Sequence, residues 1–380
     1  MKTKIILSII TAIAVLQIPS NISAQQRHTC STFQIATTDT IVVGHNLDDY
    51  VTFPGMLIVN PRGVDKESLS WRDFRKGKKK NALRLKWTSK FGSITYSIFG
   101  RELIDGGMNE AGLYIGEMTL MKTVYPVDNT KPIFHTNFLM QYILDCFATV
   151  DEAIESLSTF SIDGTCRWHY FVADRNGNTA VVEFIDGKIV IHKGESMPHN
   201  ILCNTTYSSD LDSLALYKGY GGERVLDIND KEDTRRTVRA TEMIKLYAEN
   251  QQKPIIDYSF DMLNLLDLGN NLWQVVCDIS HGRVYFRTHL NRNIKFVDFK
   301  SFDFSDKSLK YIDIHFDNKG NVYSSFNPLT NKINKKYVRK TWWAIDMGFF
   351  GNIFIKPFAV WGLGARMSGY TGEFYNENKK

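Results

Sequence analysis

Cys30-Ser31-Thr32-Phe33-Gln34-Ile35-Ala36, followed by Ile41-Val42-Val43-Gly44-His45-Asn46-Leu47-Asp48-Asp49, is the stretch on which the reading of this chain turns. Residues 30–36 and 40–46 read as two short strands joined by a turn near Thr38-Asp39. A hairpin of that kind returns the chain toward Cys30 and sets Asp48 beside it. A cysteine that becomes the first residue of a processed chain carries a thiol and a free α-amine on the same few atoms. The amine, with an ordinary pKa of about 7.7–8.0, can serve as base for its own thiol. Read by themselves, Cys30 is as readily a structural thiol and Asp48 as readily a turn residue.

What precedes Cys30 has the layout of a secretory signal. Lys2 and Lys4 form a basic start, Ile5 to Ile18 is mostly apolar, and Asn21-Ile22-Ser23-Ala24 ends in small residues. The apolar part is about 14 residues, short of the roughly 20 that span a bilayer. Residues 1–24 therefore read as a signal peptide, with a retained anchor as the rival reading. Residues 25–29 then still block Cys30, as a short propeptide. Self-cleavage removes such a segment by attack of the thiol on the Thr29 carbonyl, an N-to-S acyl shift and hydrolysis of the ester. The expected localisation is secreted or periplasmic, and residues 30–380 read as a single domain with an aromatic tail over 340–380.

The net charge of +5 falls to about +2 once Lys2, Lys4 and Arg27 are gone, so nothing in the balance calls for nucleic acid or an anionic membrane. Five cysteines leave one odd. With Cys30 as a free nucleophile, Cys146, Cys166, Cys203 and Cys277 are buried thiols or include one disulfide. No Cys-x-x-Cys or zinc-type spacing occurs, and no cofactor is implied.

Further strands are expected at 56–60, 92–99, 170–173, 180–184, 189–192, 273–287, 296–299 and 311–316. Asn176-Gly177 and Asp186-Gly187 are tight-hairpin signals. Helices are expected at 134–147, from Thr149 with Glu152 completing a capping box, and at 234–249. Strands and helices grouped in this way predict an antiparallel α+β layering. Trp342 to Trp361 is aromatic and Gly-rich, interrupted by Asp346, Lys356 and Pro357. It reads as no stable membrane span, and as a tail that packs on the core or mediates self-association.

Cys30-Ser31-Thr32-Phe33 and Gly44-His45-Asn46-Leu47-Asp48 resemble the opening of the choloylglycine hydrolase family, the linear amide C–N hydrolases that include bile salt hydrolases and penicillin V acylases. Pro54 to Gly63, Gly106 to Leu113, Ile201 to Thr205, Arg235 to Ala240 and Trp273 to Asp278 are similar to later family segments in the same order, over roughly residues 30–330. The resemblance implies an αββα sandwich of the N-terminal-nucleophile class. It implies Cys30 as nucleophile and Asp48 as the acid that contacts its amine. Asn204 matches an oxyanion-hole residue, and Arg236 the arginine near the nucleophile, with Arg239 the fallback one turn on. His45 stands where the family usually has arginine, and as a titratable group its support of a thiolate is expected to weaken at alkaline pH. Thr119 stands where bile salt hydrolases carry asparagine and penicillin acylases tyrosine, so the acyl site differs from both.

The activity implied is hydrolysis of a small N-acyl amide through a thioester. An N-acyltransferase on the same fold and a non-catalytic exported binding protein are the alternatives. A homo-oligomer, a tetramer by resemblance, is expected. Asn109 and Gly112 read as a structural turn and Trp273 as core. Tyr50, Phe53 and Tyr207 are candidate walls of an acyl pocket.

Overall fold

The computed structural model describes residues 29–375, so the signal-peptide reading of 1–24 and the propeptide positions 25–28 lie outside the described residues. The opening hairpin forms as expected, with β1 (Ser31–Ala36) and β2 (Ile41–Asp48) antiparallel and Thr32 opposite His45. Alternation along these strands sends side chains to two different layers. Cys30, Val43 and Leu47 enter one hydrophobic cluster, while Phe33, Ile35 and Val42 enter another. Gly44 is required here, because a Cβ on it would stand 2.4 Å from the Phe33 ring.

Twelve further strands, β3 to β14, build the two sheets. β3 (Met56–Asn60), β4 (Ser93–Ser97), β5 (Gly106–Asn109), β6 (Tyr114–Thr119), β7 (Trp168–Ala173), β8 (Thr179–Ile185) and β9 (Lys188–Lys193) belong to one sheet. β10 (Ile201–Leu202), β11 (Asn271–Asp278), β12 (Arg283–Thr288) and β13 (Lys295–Asp298) join the opening hairpin, and β14 (Lys310–Asp313) returns to the first set. Among the described residues the first sheet has seven strands, ordered β10-β1-β2-β11-β12-β13 with a short edge at Gly320–Asn321. The second has nine, ordered β9-β8-β7-β6-β5-β4-β3-β14 with a short edge at Asn327–Pro328. The cluster holding Cys30, Leu57, Tyr114, Phe171 and Val275 lies between the two sheets.

Helices cover the outer faces. On the first sheet, α5 (Arg236–Glu249) and α6 (Ile255–Leu266) place Ala240, Met243 and Leu263 against Phe33 and Val276. On the second, α1 (Trp71–Lys76), α2 (Thr136–Cys146) and α3 (Val150–Ser156) lie over Ile115, Tyr170 and Val182. This is the αββα order expected. Thr149 and Glu152 make the capping box that starts α3. Asp186 and Gly187 both have positive φ in the β8–β9 turn, as a two-residue hairpin of the favoured hand requires.

Several features differ from the sequence reading. The strand expected over 273–287 is two strands, separated by a turn at 279–282 with Gly282 at φ 62. α4 (Tyr207–Leu214) and α6 were not anticipated. The tail is helical, with α7 (Asn331–Ala344), α8 (Gly348–Phe354) and α9 (Gly364–Glu373). Pro357 falls in the first turn of a short helical segment, where its missing N–H costs nothing. Val338, Trp342, Val360 and Met367 pack the tail's inner face onto the second sheet's helical layer.

A buried ion cluster ties that layer together. Lys66 Nζ lies 2.8 Å from Glu102 and 2.9 Å from Asp145, with all three side chains fully buried. Tyr375 donates to Glu102, and Trp87 and Gln141 donate to Asp145. Removing one member leaves uncompensated buried charge. Lys66→Met is therefore expected to lower unfolding free energy by about 3–5 kcal/mol. A denaturant midpoint equal to that of the parent chain would refute this.

Candidate active site

Arg236 is the first residue of α5 and the hub of the site. Its Nη1 donates to the Thr29 carbonyl and, at 2.9 Å, to the Cys30 carbonyl, while Nη2 donates to Asn204 Oδ1 at 2.9 Å. With Arg235 before it and no acid in the first turn, the start of this helix carries the charge its dipole disfavours. The contacts to residues 29 and 30 give a reason for that placement. Asn204 follows β10, which pairs with β1, and its Nδ2 donates to the Thr119 carbonyl at 2.8 Å.

Asp48 ends β2 on the other side of Cys30. Asn271 donates to Asp48 Oδ1 at 2.7 Å, from a point where a register shift between Asn271 and Trp273 interrupts the pairing of β11 with β2. Such a bulge re-aims a side chain without moving the sheet. Thr29 Oγ1 lies 3.0 Å from Asp48 Oδ2 and 2.7 Å from Asn270 Oδ1. A hydroxyl has one hydrogen. Both contacts are made when Asp48 is protonated and donates to Thr29 Oγ1, which in turn donates to Asn270. The electrostatics agree: burial pushes the Asp48 carboxyl up to about 7, against the hydrogen bond from Asn271 and the charge of Arg236.

The Cys30 thiol is enclosed, 2% exposed, and donates to the Asp48 carbonyl at 3.9 Å. Burial, then the carboxyls of Glu117 and Asp48, push it well above the ordinary thiol range. In a chain still joined to Thr29, Cys30 has no α-amine to act as base. Thr29 is itself buried, so the residue before Cys30 is enclosed together with the thiol.

The structure thus brings Cys30, Asp48, Asn204 and Arg236 together, with Thr119 touching the group through its main chain. Arg239 does not join them. It is buried in the helix layer, where Nη1 donates to the Leu265 carbonyl at 2.8 Å. The expectation for His45 needs correction. Its Nδ1 is 2.7 Å from Thr32 Oγ1, its ring lies 5.3 Å from that of Tyr96, and burial drops its pKa to about 3. A neutral imidazole does not titrate in the alkaline range, so it supplies no pH-dependent support there. Asn109 caps its own turn and donates to the Leu144 and Phe147 carbonyls, the structural role expected. Trp273 is core, and Phe53 is buried in the cluster between the sheets. Tyr50 is 66% exposed, and Tyr207 spends its hydroxyl on the backbone of His199, so neither fits the expected acyl pocket in this state.

Asn271, Glu117 and the hydroxyl of Thr29 escaped the sequence reading. Only the pair Asn270-Asn271 before an apolar strand hinted at a polar partner for Asp48.

A family model described as acyl-coenzyme A:6-aminopenicillanic acid acyl-transferase matches residues 72–293. The chain belongs to this family. The matched stretch carries Thr119, Asn204 and Arg236 and begins after Cys30 and Asp48. A penicillin V acylase from Pectobacterium atrosepticum is 27% identical over 266 residues, covering 59% of this chain and 70% of that one. The structure of penicillin V acylase from Agrobacterium tumefaciens is similar at a TM-score of 0.67 and 26% identity, covering 79% of this chain and 98% of that one. A variant of conjugated bile acid hydrolase from Clostridium perfringens shares the fold at a TM-score of 0.61 and 17% identity, over 77% of this chain and 99% of that one. The resemblance to these amide hydrolases and the αββα fold are borne out. So is the reaction class, an enzyme acting on linear amide C–N bonds.

The Asp48 carboxyl has a thermodynamic consequence in the uncut chain. Folded, it holds its proton up to about pH 7; unfolded, only to about 3.8. The stabilisation is complete below the lower value and is lost as pH rises toward the upper one. An uncut Cys30→Ala chain is expected to lose on the order of 3 kcal/mol from this group between pH 4 and pH 8. Adding Asp48→Asn should flatten that part of the curve. Parallel stability–pH curves for the two variants would rule this out.

Proposed function

We propose that this chain is an exported cysteine amidohydrolase that becomes active when residues 25–29 leave and Cys30 becomes its first residue. The supporting observation is the convergence of Arg236 on the Thr29 carbonyl, the Cys30 carbonyl and Asn204. In self-cleavage, Cys30 Sγ attacks the Thr29 carbonyl carbon, and Arg236 Nη1 stands ready to stabilise the oxygen that gains charge. The C–N bond breaks as the Cys30 nitrogen takes up the proton that the thiol gives up and leaves as an amine, and water hydrolyses the thioester. The new ammonium lies next to Asp48 and favours its carboxylate.

In turnover, the Cys30 amine takes the thiol proton and Sγ attacks the substrate carbonyl. Asn204 stabilises the oxyanion, and the amine returns the proton to the leaving nitrogen. The acyl thioester then reacts with water. The substrate is an N-acyl amide, and penicillin V, named in its relatives, is the first probe. The family description favours one further reading, transfer of the acyl group to an amine instead of water.

The test is to purify the chain from its own compartment, determine its first residue by intact mass, and incubate it with penicillin V, a glycine-conjugated bile salt and an N-acyl amino acid, with and without an added amine. A start at Cys30 and equimolar acid and amine products support hydrolysis. A new amide formed only with added amine supports transfer. A chain that starts at Cys30 and releases nothing from any substrate overturns both.

A further inference from the structure

The tail presents an outward surface that the amide site does not use. Trp343, Phe349, Phe350, Phe354, Phe358 and Trp361 are each between 56% and 75% exposed, although Trp342, Val360, Leu363 and Met367 beside them are buried. Six rings at that exposure leave on the order of 600 Å² of aromatic surface. That is the upper end of what a soluble monomer carries, roughly 300–600 Å².

The charge around these rings has one sign. From Asn331 to Arg366 the chain has seven Lys or Arg residues and one acid, Asp346. Arg339 stacks over Trp361 at 4.2 Å, Lys356 lies 5.8 Å from the Trp343 ring centre and Arg366 5.7 Å from that of Phe358. Three of the seven cations thus sit against the rings of the aromatic face. The nearly neutral processed chain hides this, because the excess is local.

The segment also lies beyond residues 72–293, the part matched by the family model. The Agrobacterium penicillin V acylase uses 98% of its length to cover 79% of this chain, so about a fifth of this chain has no counterpart there.

We propose that this face docks on an anionic lipid bilayer surface, with the Phe and Trp rings in the headgroup–acyl boundary and the Lys and Arg side chains among the phosphates. Aromatic residues on one side and Lys or Arg around them are what an interfacial helix presents. Charge complementarity decides the occupant. A second copy docked isologously would press two strongly positive surfaces together, which is unfavourable, whereas anionic headgroups attract each Lys and Arg. Among the described residues no helix is long and apolar enough to cross a membrane, so the contact is peripheral.

The test uses the chain from Gln25 to Lys380, without the apolar leader, in flotation with vesicles of equal parts phosphatidylglycerol and phosphatidylcholine, and with pure phosphatidylcholine. Binding is expected on the anionic vesicles, weaker by about tenfold or more on the neutral ones and in high salt. Combined Phe349→Ser, Phe350→Ser and Phe354→Ser should weaken it by about tenfold or more, leaving thermal unfolding and amide hydrolysis as in the parent. Lys335→Glu with Lys336→Glu and Lys340→Glu should do the same. If the triple Phe variant does not fold, a blue shift of tryptophan emission in the unaltered chain, with quenching by brominated lipid, reports the same insertion. No binding of the unaltered chain to anionic vesicles overturns the proposal. So does equal binding by the Phe variant, or a dimer in light scattering that the Phe substitutions dissolve while vesicles capture nothing.

Discussion

Cys30→Ala is expected to leave the chain uncut at residues 25–29 and to lower amide hydrolysis by about 10³-fold or more. One atom carries both losses. Without Sγ, nothing attacks the Thr29 carbonyl, so Thr29 stays in the enclosed site and no α-amine is freed at residue 30. On the proposed mechanism, turnover then lacks its nucleophile, its base and an open site together. These effects separate in a chain whose coding sequence begins Met-Cys30, because removal of the initiator methionine bypasses processing. That chain should be active from synthesis, and Cys30→Ala in the same background should remain inactive. Cys30→Ser retains an attacking oxygen, and is expected to process slowly, with intermediate accumulation of the uncut mass. An Ala variant that turns over at the parent rate would remove Cys30 from the chemistry.

The legibility of this site followed the range of the interactions that build it. The hairpin of residues 31–48 was readable because alternation, a turn and strand-forming residues all act within eighteen positions. The capping box at Thr149 and the turn at Asp186-Gly187 are local in the same way. The same hairpin placed Asp48 beside Cys30, whereas Arg236 and Asn204 were reached through resemblance alone, since nothing near Arg236 in the sequence says that its side chain crosses to residue 29. The anchoring of Asp48 by Asn271 depends on pairing across 223 positions and on a bulge, and neither has a sequence signature. The charge state of His45 was misread for a related reason. A histidine on an alternating strand reads as titratable, and only full enclosure by the second sheet removes its charge. The helical tail was obscured by its glycines. At Gly372 a Cβ would stand 2.3 Å from the Arg101 guanidinium, so this glycine admits a close contact within a helix.

Arg236→Met is expected to lower turnover by about 10²-fold or more and to slow removal of residues 25–29. The substitution keeps the length of the side chain and deletes every donor to the Thr29 carbonyl, the Cys30 carbonyl and Asn204 Oδ1. Asn204 then loses the contact that holds its amide between Arg236 and the Thr119 carbonyl, so the oxyanion donor of the proposed mechanism is released as well. Stability should change little, because the residue is only partly buried and a neutral first position relieves the unfavourable charge at the start of α5. Arg236→Lys should restore less than about tenfold of the loss, since an ammonium cannot span two carbonyls and an amide oxygen from one planar fork. Arg239→Met supplies the contrast. Its Nε and Nη2 are buried without a hydrogen-bond partner among the described residues, and its Nη1 donates to the Leu265 carbonyl. Replacing it should hold turnover within about threefold of the parent and leave stability equal or higher. Steady-state rates and intact masses of the three variants read this directly. If Arg239→Met is the inactive one, and Arg236→Met processes and turns over normally, the catalytic arginine lies one helical turn further on.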